Sequence, residues 1–177
     1  MTVQTRQRKR KWTLAPLALC VPLAFGSTLS VPAVAAEQTP DSVEVRNRAT
    51  VTKGFEAWRD GTGSPYDLLD ENADWTIVGA SLVARTYTGR EDFLSNVIRP
   101  FGARMASRFV PEIRNLYADG DTVIVHFDAE GTARDGQPYR NSYAWFLTLR
   151  NDRIIKATAF FDSIAFNDFW QRVTPTQ

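Results

Sequence analysis

The hydrophobic pattern of this chain changes period near residue 107. Before that point apolar residues recur every three or four positions, and after it they alternate. Val51, Phe55 and Trp58 form an i, i+4, i+7 stripe that predicts an amphipathic helix. Asp41 and Glu44 stand ahead of it at capping-box spacing, and Gly61-Thr62-Gly63 ends it. Ser64-Pro65 opens a short helical turn through Leu69, with proline in the first turn. Trp75 to Val78 reads as a brief strand and residues 79–88 as an irregular connection. Thr88 and Glu91 give a second capping box. A second apolar stripe follows at Phe93, Val97 and Phe101, with Pro100 expected to close that helix.

Four long strands are expected after the switch, over residues 108–118, 121–133, 137–150 and 153–161. Their turns carry Asp119-Gly120, Asp135-Gly136 and Asn151-Asp152, which is hairpin chemistry and makes the strands antiparallel neighbours. A last short helix, Ile164 to Val173, carries Phe166, Phe169 and Trp170. Helices first and an antiparallel meander second indicate an α+β fold with the helices on one face of the sheet.

The N-terminus departs from this pattern and changes the charge reading. Arg6, Arg8, Lys9, Arg10 and Lys11 form a basic block, residues 12–36 carry no charge, and Val31-Pro32-Ala33-Val34-Ala35-Ala36 closes the run. A basic block, an apolar stretch and an A-x-A end read as a secretory signal over residues 1–36, with the domain at 37–177. Pro16, Pro22 and Pro32 interrupt the apolar run, which disfavours the alternative of a membrane anchor needing ~20 apolar residues. The implied localisation is exported, periplasmic or extracellular, with no membrane attachment after cleavage. That segment holds five of the 21 basic residues and none of the 20 acidic ones, so residues 37–177 are net −4. An acidic domain without a basic patch argues against nucleic acid as a partner.

The candidate chemistry is carboxylate and imidazole. Asp128 lies in the alternating run Asp121 to Asp128, and Asp162 ends the run that begins at Ile154. His126, the only histidine, stands two residues from Asp128 and therefore on the same strand face. Two carboxylates and an imidazole aimed into an apolar cavity make an acid–base site. Each has a plainer reading too. Asp162 directly precedes a helix and suits an N-cap. Asp128 and His126 belong to the set Ile124, His126, Asp128, which alternates with Val123, Val125, Phe127. Either set can face the pocket in a strand packed on both sides. Trp58, Trp75, Tyr143, Trp145, Phe160, Phe55 and Ile77 are the candidate cavity lining, with ordinary core packing as the alternative for each. The single cysteine, Cys20, falls in the N-terminal segment. The domain therefore offers no thiol chemistry, no His/Cys metal cluster, no phosphate-binding loop and no nucleophile elbow, and neither metal nor cofactor is expected.

Several segments together resemble the SnoaL-like branch of the NTF2-like superfamily. They are Gly54-Phe55-Glu56-Ala57-Trp58-Arg59-Asp60-Gly61, Asp74-Trp75, Tyr87-Thr88-Gly89-Arg90-Glu91-Asp92-Phe93, Ala118-Asp119-Gly120-Asp121-Thr122-Val123, Arg153-Ile154 and Phe160-Phe161-Asp162. The resemblance spans residues 42–173. It implies an NTF2-like cone: a curved antiparallel or mixed sheet wrapped by three to four helices around an apolar pocket, and a homodimer. Family members include polyketide cyclases, ketosteroid isomerases, limonene-type epoxide hydrolases and proteins without catalysis, so fold alone leaves function open. The groups that ketosteroid isomerases use are replaced here by Phe55, Thr76 and Trp145. The two acids of the limonene-type hydrolases match Asp128 and Asp162 in spacing. The arginine of that family between them becomes His126, and its water-holding Tyr and Asn become Trp75 and Ile77. Three readings follow: a cofactor-free acid–base enzyme on a small hydrophobic substrate (cyclisation, isomerisation or epoxide hydration), a non-catalytic binder of a lipophilic ligand, and a dimeric interaction protein.

Overall fold

The computed structural model describes residues 42–175. Residues 1–36, the expected signal, and Asp41, the expected first cap, lie outside the described residues. Helix α1 spans Val43–Asp60. Ser42 caps it, its hydroxyl accepting from the Val45 N–H. The buried stripe is Asn47, Val51, Gly54 and Phe55, and the helix packs on the sheet. Gly54 has no room for a side chain, since a Cβ there would stand 3.0 Å from Leu68 and 3.2 Å from Pro65. Gly61 ends α1 in the left-handed region at φ 76° and donates to Ala57 and Trp58 carbonyls, as a C-terminal glycine does. A 3₁₀ turn, Pro65–Leu68, follows.

The strands are β1 Leu69–Ile77, β2 Thr86–Thr88, β3 Val110–Asp119, β4 Thr122–Thr132, β5 Pro138–Arg150 and β6 Arg153–Phe161. They form one six-stranded sheet in the order β2-β1-β6-β5-β4-β3. Every neighbouring pair is antiparallel except β1 with β6, which run parallel. The strand at Trp75 is longer than expected because Leu69 already pairs with Ile154; a register shift separates that pair from Asp74–Lys156. The β5–β6 turn places Asn151 at φ 51° and Asp152 at φ 60°, both left-handed, as a tight two-residue hairpin requires.

The middle helix differs from expectation at both ends. Its cap is Gly89, and no side chain of Thr88 caps it. Instead the Asp92 carboxylate accepts from the Thr88 N–H and from two nitrogens of Arg85. Pro100 does not close it. The helix runs as α2, Arg90–Phe93, then a π-wound turn over Leu94–Ile98, then α3, Arg99–Gly102. Within the wide turn Arg99 donates to the carbonyl of Leu94, five residues back. Proline lacks the N–H of an i→i−4 bond, and widening the preceding turn lets the chain pass it without a break. Helix α4, Ser163–Arg172, closes the fold. No helix among the described residues is long and apolar enough to cross a membrane.

The alternation of the long strands separates two faces. On β4 the buried set is Val123, Val125, Phe127 and Ala129; on β5 it is Tyr139, Asn141, Tyr143, Trp145, Leu147 and Leu149. This face is covered by the helices and holds the core. Thr122, Ile124, His126, Asp128 and Glu130 on β4, and Ser142, Ala144 and Phe146 on β5, stand on the other face.

Candidate functional site

The covered face of the sheet is walled with aromatic rings. Trp145 on β5 stands edge-on to Trp75 on β1, with centroids 5.0 Å apart, and lies parallel to Trp58 of α1 at 6.1 Å. Trp75 stacks on Phe93 of α2 at 4.3 Å. Tyr66, from the 3₁₀ turn, meets Trp58, Trp75, Phe93 and Trp145 within 6 Å. Tyr143 stacks on Phe127 at 4.9 Å. Each edge-on or offset ring pair adds about 0.5–1.5 kcal/mol beyond area burial, so the wall is rigid as well as apolar.

These rings do not fill the space between sheet and helices. A cavity of about 520 Å³ remains, lined by Trp58, Tyr66, Trp75, Ile77, Phe93, Val97, Phe101, Phe109, Tyr143, Trp145, Ala159, Phe161 and Phe166, among others. Arg108, Ser64 and Ser107 are the polar side chains at its edge. Arg108 donates to the Arg59 carbonyl and passes over Gly61, where a Cβ would clash with its guanidinium at 2.1 Å. The lining contains no carboxylate, imidazole, amine or thiol. Its phenols, Tyr66 and Tyr143, are both pushed upward by burial and stay protonated. Among the described residues no group of three or more His, Cys, Asp or Glu side chains gathers in a way that could hold a metal ion.

The structure divides the expected site residues. Trp58, Trp75, Tyr143, Trp145 and Ile77 line the cavity. Phe55 is 1% exposed and sits one layer behind it, against Trp58, Phe127 and Trp145. Phe160 is corrected: it is 42% exposed on the opposite face, edge-on to Phe146, and Phe161 takes the inward position. The phase of β6 decides this, because Ala157 and Ala159 are buried while Lys156 is exposed, and Phe160 shares the face of Lys156 and not that of the alanines. The lysine was the signal in the sequence.

The expected placement of the acid–base trio inside the cavity is corrected as well. His126 and Asp128 do share a face, but it is the outer one. Asp128 accepts from the Ser142 hydroxyl at 2.6 Å and from Arg114 at 2.8 Å, and its side chain is 39% exposed. Those two donors hold its carboxyl below the ordinary range, so it is an anion near neutrality. His126 is exposed and its Nδ1 lies 3.3 Å from the Asn115 amide nitrogen. Asp162 caps α4, its Oδ1 accepting from the N–H groups of Ile164 and Ala165. Asp128 and Asp162 border one polar groove of about 600 Å³ on the outer face, together with Glu112, Arg114, Glu130 and Arg140. Strand alternation gives two sets of residues, and the docking of the helices determines which set is inside.

Sequence reasoning missed Tyr66, Phe93, Phe101, Phe109, Phe166 and Arg108 as lining, because they come from three separate helical pieces and a loop. It also missed Asn141. This side chain is 7% exposed and bonds both backbone groups of Asp162: its Oδ1 accepts from the Asp162 N–H and its Nδ2 donates to the Asp162 carbonyl.

The SnoaL-like domain profile matches residues 51–157, more than half of the chain. No curated protein is significantly similar in sequence. Among solved structures the chain is similar to Bal32a from a soil-derived mobile gene cassette, with 25% identity and a TM-score of 0.61 over 73% of this chain and 99% of that one. An NTF2-like protein from Burkholderia thailandensis is 21% identical with a TM-score of 0.55, over 67% of this chain and 93% of that one. A putative SnoaL-like polyketide cyclase from Jannaschia is 19% identical with a TM-score of 0.56, over 70% of this chain and 90% of that one. These likenesses and the cone of sheet and helices agree with the profile: the chain belongs to the SnoaL-like domain family.

Proposed function

We propose that this domain binds a small, mainly apolar molecule in the aromatic cavity and holds it without acid–base turnover by an aspartate pair. The observation that carries this reading is the lining itself: about 520 Å³ of space walled by three tryptophans and further aromatic rings, with no carboxylate or imidazole among them. Small-molecule sites are mostly apolar concavities with few polar groups, and a general acid or base must reach the reacting atom through at most one water. Asp128 is held as an anion by Ser142 and Arg114 on the far side of the sheet, and Asp162 is engaged as a helix cap. The test is titration of the whole protein with a naphthalene-sized fluorescent dye, read by dye emission and by quenching of the wall tryptophans. Ala159, 2% exposed, lies on the cavity floor. Ala159→Phe is expected to lower dye affinity at least tenfold while the protein remains folded by circular dichroism. Unchanged affinity in that variant, or turnover that Asp128→Asn abolishes, sinks the proposal.

A dimer is part of the same reading. Tyr117, Phe146 and Phe160 are 58%, 39% and 42% exposed on the outer face, an apolar group that a second copy of the chain would cover. Light scattering at micromolar concentration is expected to give twice the monomer mass. We likewise propose export, with mature protein beginning at Ala36 or Glu37; the intact mass of protein from the cell envelope or medium checks it.

A further inference from the structure

The middle helix is held at both ends and carries one residue more than α winding needs. At its start Phe93 stacks on Trp75 at 4.3 Å, and the Asp92 carboxylate bonds Arg85 and the Thr88 N–H. At its finish Arg104, 9% exposed, donates to the Pro100 and Trp170 carbonyls, and Met105 bridges to Ala133. The surplus residue is taken up by the π-wound turn over Leu94–Ile98, closed by the Arg99 N–H on the Leu94 carbonyl. Removing the turn would rotate one end by about 100° and draw it in by about 1.5 Å, which the two anchors oppose. Moving the turn along the helix disturbs neither anchor. The way toward Gly102 is open, because Pro100 has no N–H bond to break.

A chain of side-chain bonds on the solvent side fixes the turn in its place. Arg99 donates to Glu91 at 2.5 and 3.0 Å and to the Ser95 hydroxyl at 2.7 Å, and Ser95 donates to Glu91 at 2.7 Å. In continuous α winding, two side chains with the sequence separation of Glu91 and Arg99 stand about 80° apart around the axis, and the surplus residue between them reduces this to about 20°. The pair therefore fits only while the turn lies between Glu91 and Arg99. Both side chains are exposed, at 71% and 60%, so the clasp is weak and screened by salt. Beneath it the helix is lightly docked. Val97 is the one buried residue from Leu94 to Gly102, and Ile98 and Phe101 line the cavity with it.

We propose that the π turn is the gate of the cavity: it slides past Arg99 toward Gly102, which breaks the Glu91–Ser95–Arg99 clasp and turns Ile98 off the lining, and it slides back to close. This rests on the binding reading above and concerns how a ligand enters, not which ligand. A residue that the turn passes rotates by about 100°, one α-helical step, so Ile98 leaves the cavity while Phe93 and Arg104 stay where their partners hold them. The opposite wall has no such freedom, because α1 and β5 are continuous elements joined by the contacts of Phe55 and Trp58 with Trp145. Helix register shifts take microseconds to milliseconds, so the turn equilibrates before a bound ligand leaves, and the open fraction scales entry and exit alike.

Hydrogen exchange of the full protein without ligand reads the turn itself. Amides of residues 94–102 are expected to exchange about tenfold faster than those of residues 51–58 in α1. Glu91→Gln is expected to speed them a further two- to fivefold, roughly the worth of an exposed ion pair, with α1 unchanged. Stopped-flow mixing with the naphthalene-sized dye is expected to show that same factor in both the association and the dissociation rate, so that Kd moves by less than about twofold. A variant that merely loosened the fold would raise the dissociation rate alone. Arg99→Gln should match Glu91→Gln, and the double variant should add nothing, as one clasp requires. Unchanged exchange over residues 94–102 in Glu91→Gln overturns the gate. Faster exchange with unchanged dye rates also overturns it and leaves the cavity reading standing. If the wild type binds no dye, the binding reading is the one that fails, and the gate falls with it.

Discussion

The two faces of one sheet carry opposite chemistry on alternate residues of the same strands. On β5, Tyr143, Trp145 and Leu147 face the helices, are at most 8% exposed and build the cavity wall and core. Ser142, Ala144 and Phe146, their immediate neighbours, face outward with Asp128, His126 and Arg114. The inner face has rings and donors without charge. The outer face has ion pairs, a histidine and three exposed aromatics. Residues rich in chemistry are therefore a poor guide to which face lines the cavity in this fold. The polar side chains that suggest catalysis are on the solvated face because water or an ion partner stabilises them there, and burying them unpaired would cost several kcal/mol.

The largest expected effect sharpens this contrast through adjacent positions. Trp145→Ala removes a ring that touches Phe55, Trp58, Tyr66, Trp75 and Phe127, and is expected to cost about 3–5 kcal/mol in urea unfolding. Phe146→Ala, one residue away and 39% exposed, is expected to cost under about 1 kcal/mol in the isolated chain. Comparable losses from the two would show that the outer face is buried too, against a second copy.

An intermediate effect comes from pH. Burial raises Tyr66 and Tyr143 above the ordinary value of 10.0. A raised folded-state pKa favours the protonated form in the native protein. The corresponding stability is fully present below pH 10 and is lost as pH rises from there toward the folded-state values. Ligand affinity is expected to be flat from pH 6 to 9, and the melting temperature to fall above pH 10, in thermal scans across that range. Asp128 has the opposite sign. Its folded pKa is lowered, so its contribution is present above the unfolded value and fades as pH falls through the folded one. Its exposure keeps that contribution small.

The smallest effects separate capping from catalysis. Asp162→Ala removes the acceptor of the Ile164 and Ala165 N–H groups and is expected to cost about 1 kcal/mol, whereas Asp162→Asn keeps an acceptor and costs a few tenths. Neither change, nor Asp128→Asn, is expected to alter dye affinity by more than twofold. A large loss of binding from either asparagine variant would move the site to the outer groove.

Much of the fold was legible along the chain. The change of period at residue 107, the Gly61 terminus, and the Asn151-Asp152 turn are local: each depends on propensity, cap chemistry or backbone sterics within a few residues. The four long strands and the last helix follow from the same local rules. Features that depend on neighbours distant in sequence were not legible. Pro100 marks a helix end by local sterics, yet the π-wound turn lets the helix continue through Gly102. The parallel pairing of β1 with β6 joins residues about eighty positions apart, and no turn signal encodes it. Alternation in β4 and β6 likewise sorts the residues into two sets without naming the inner one. That choice was made by α1 settling on Phe127 and Trp145 and by the middle helix settling on Trp75 and Tyr139, which left Asp128 and Phe160 outside. The sequence by itself determined the family, the strand pattern and the supply of aromatic rings. Only the tertiary structure decided which rings enclose a cavity, and that the Asn141 amide ties β5 to the backbone of Asp162, because both depend on contacts between elements and not on the residues of any one.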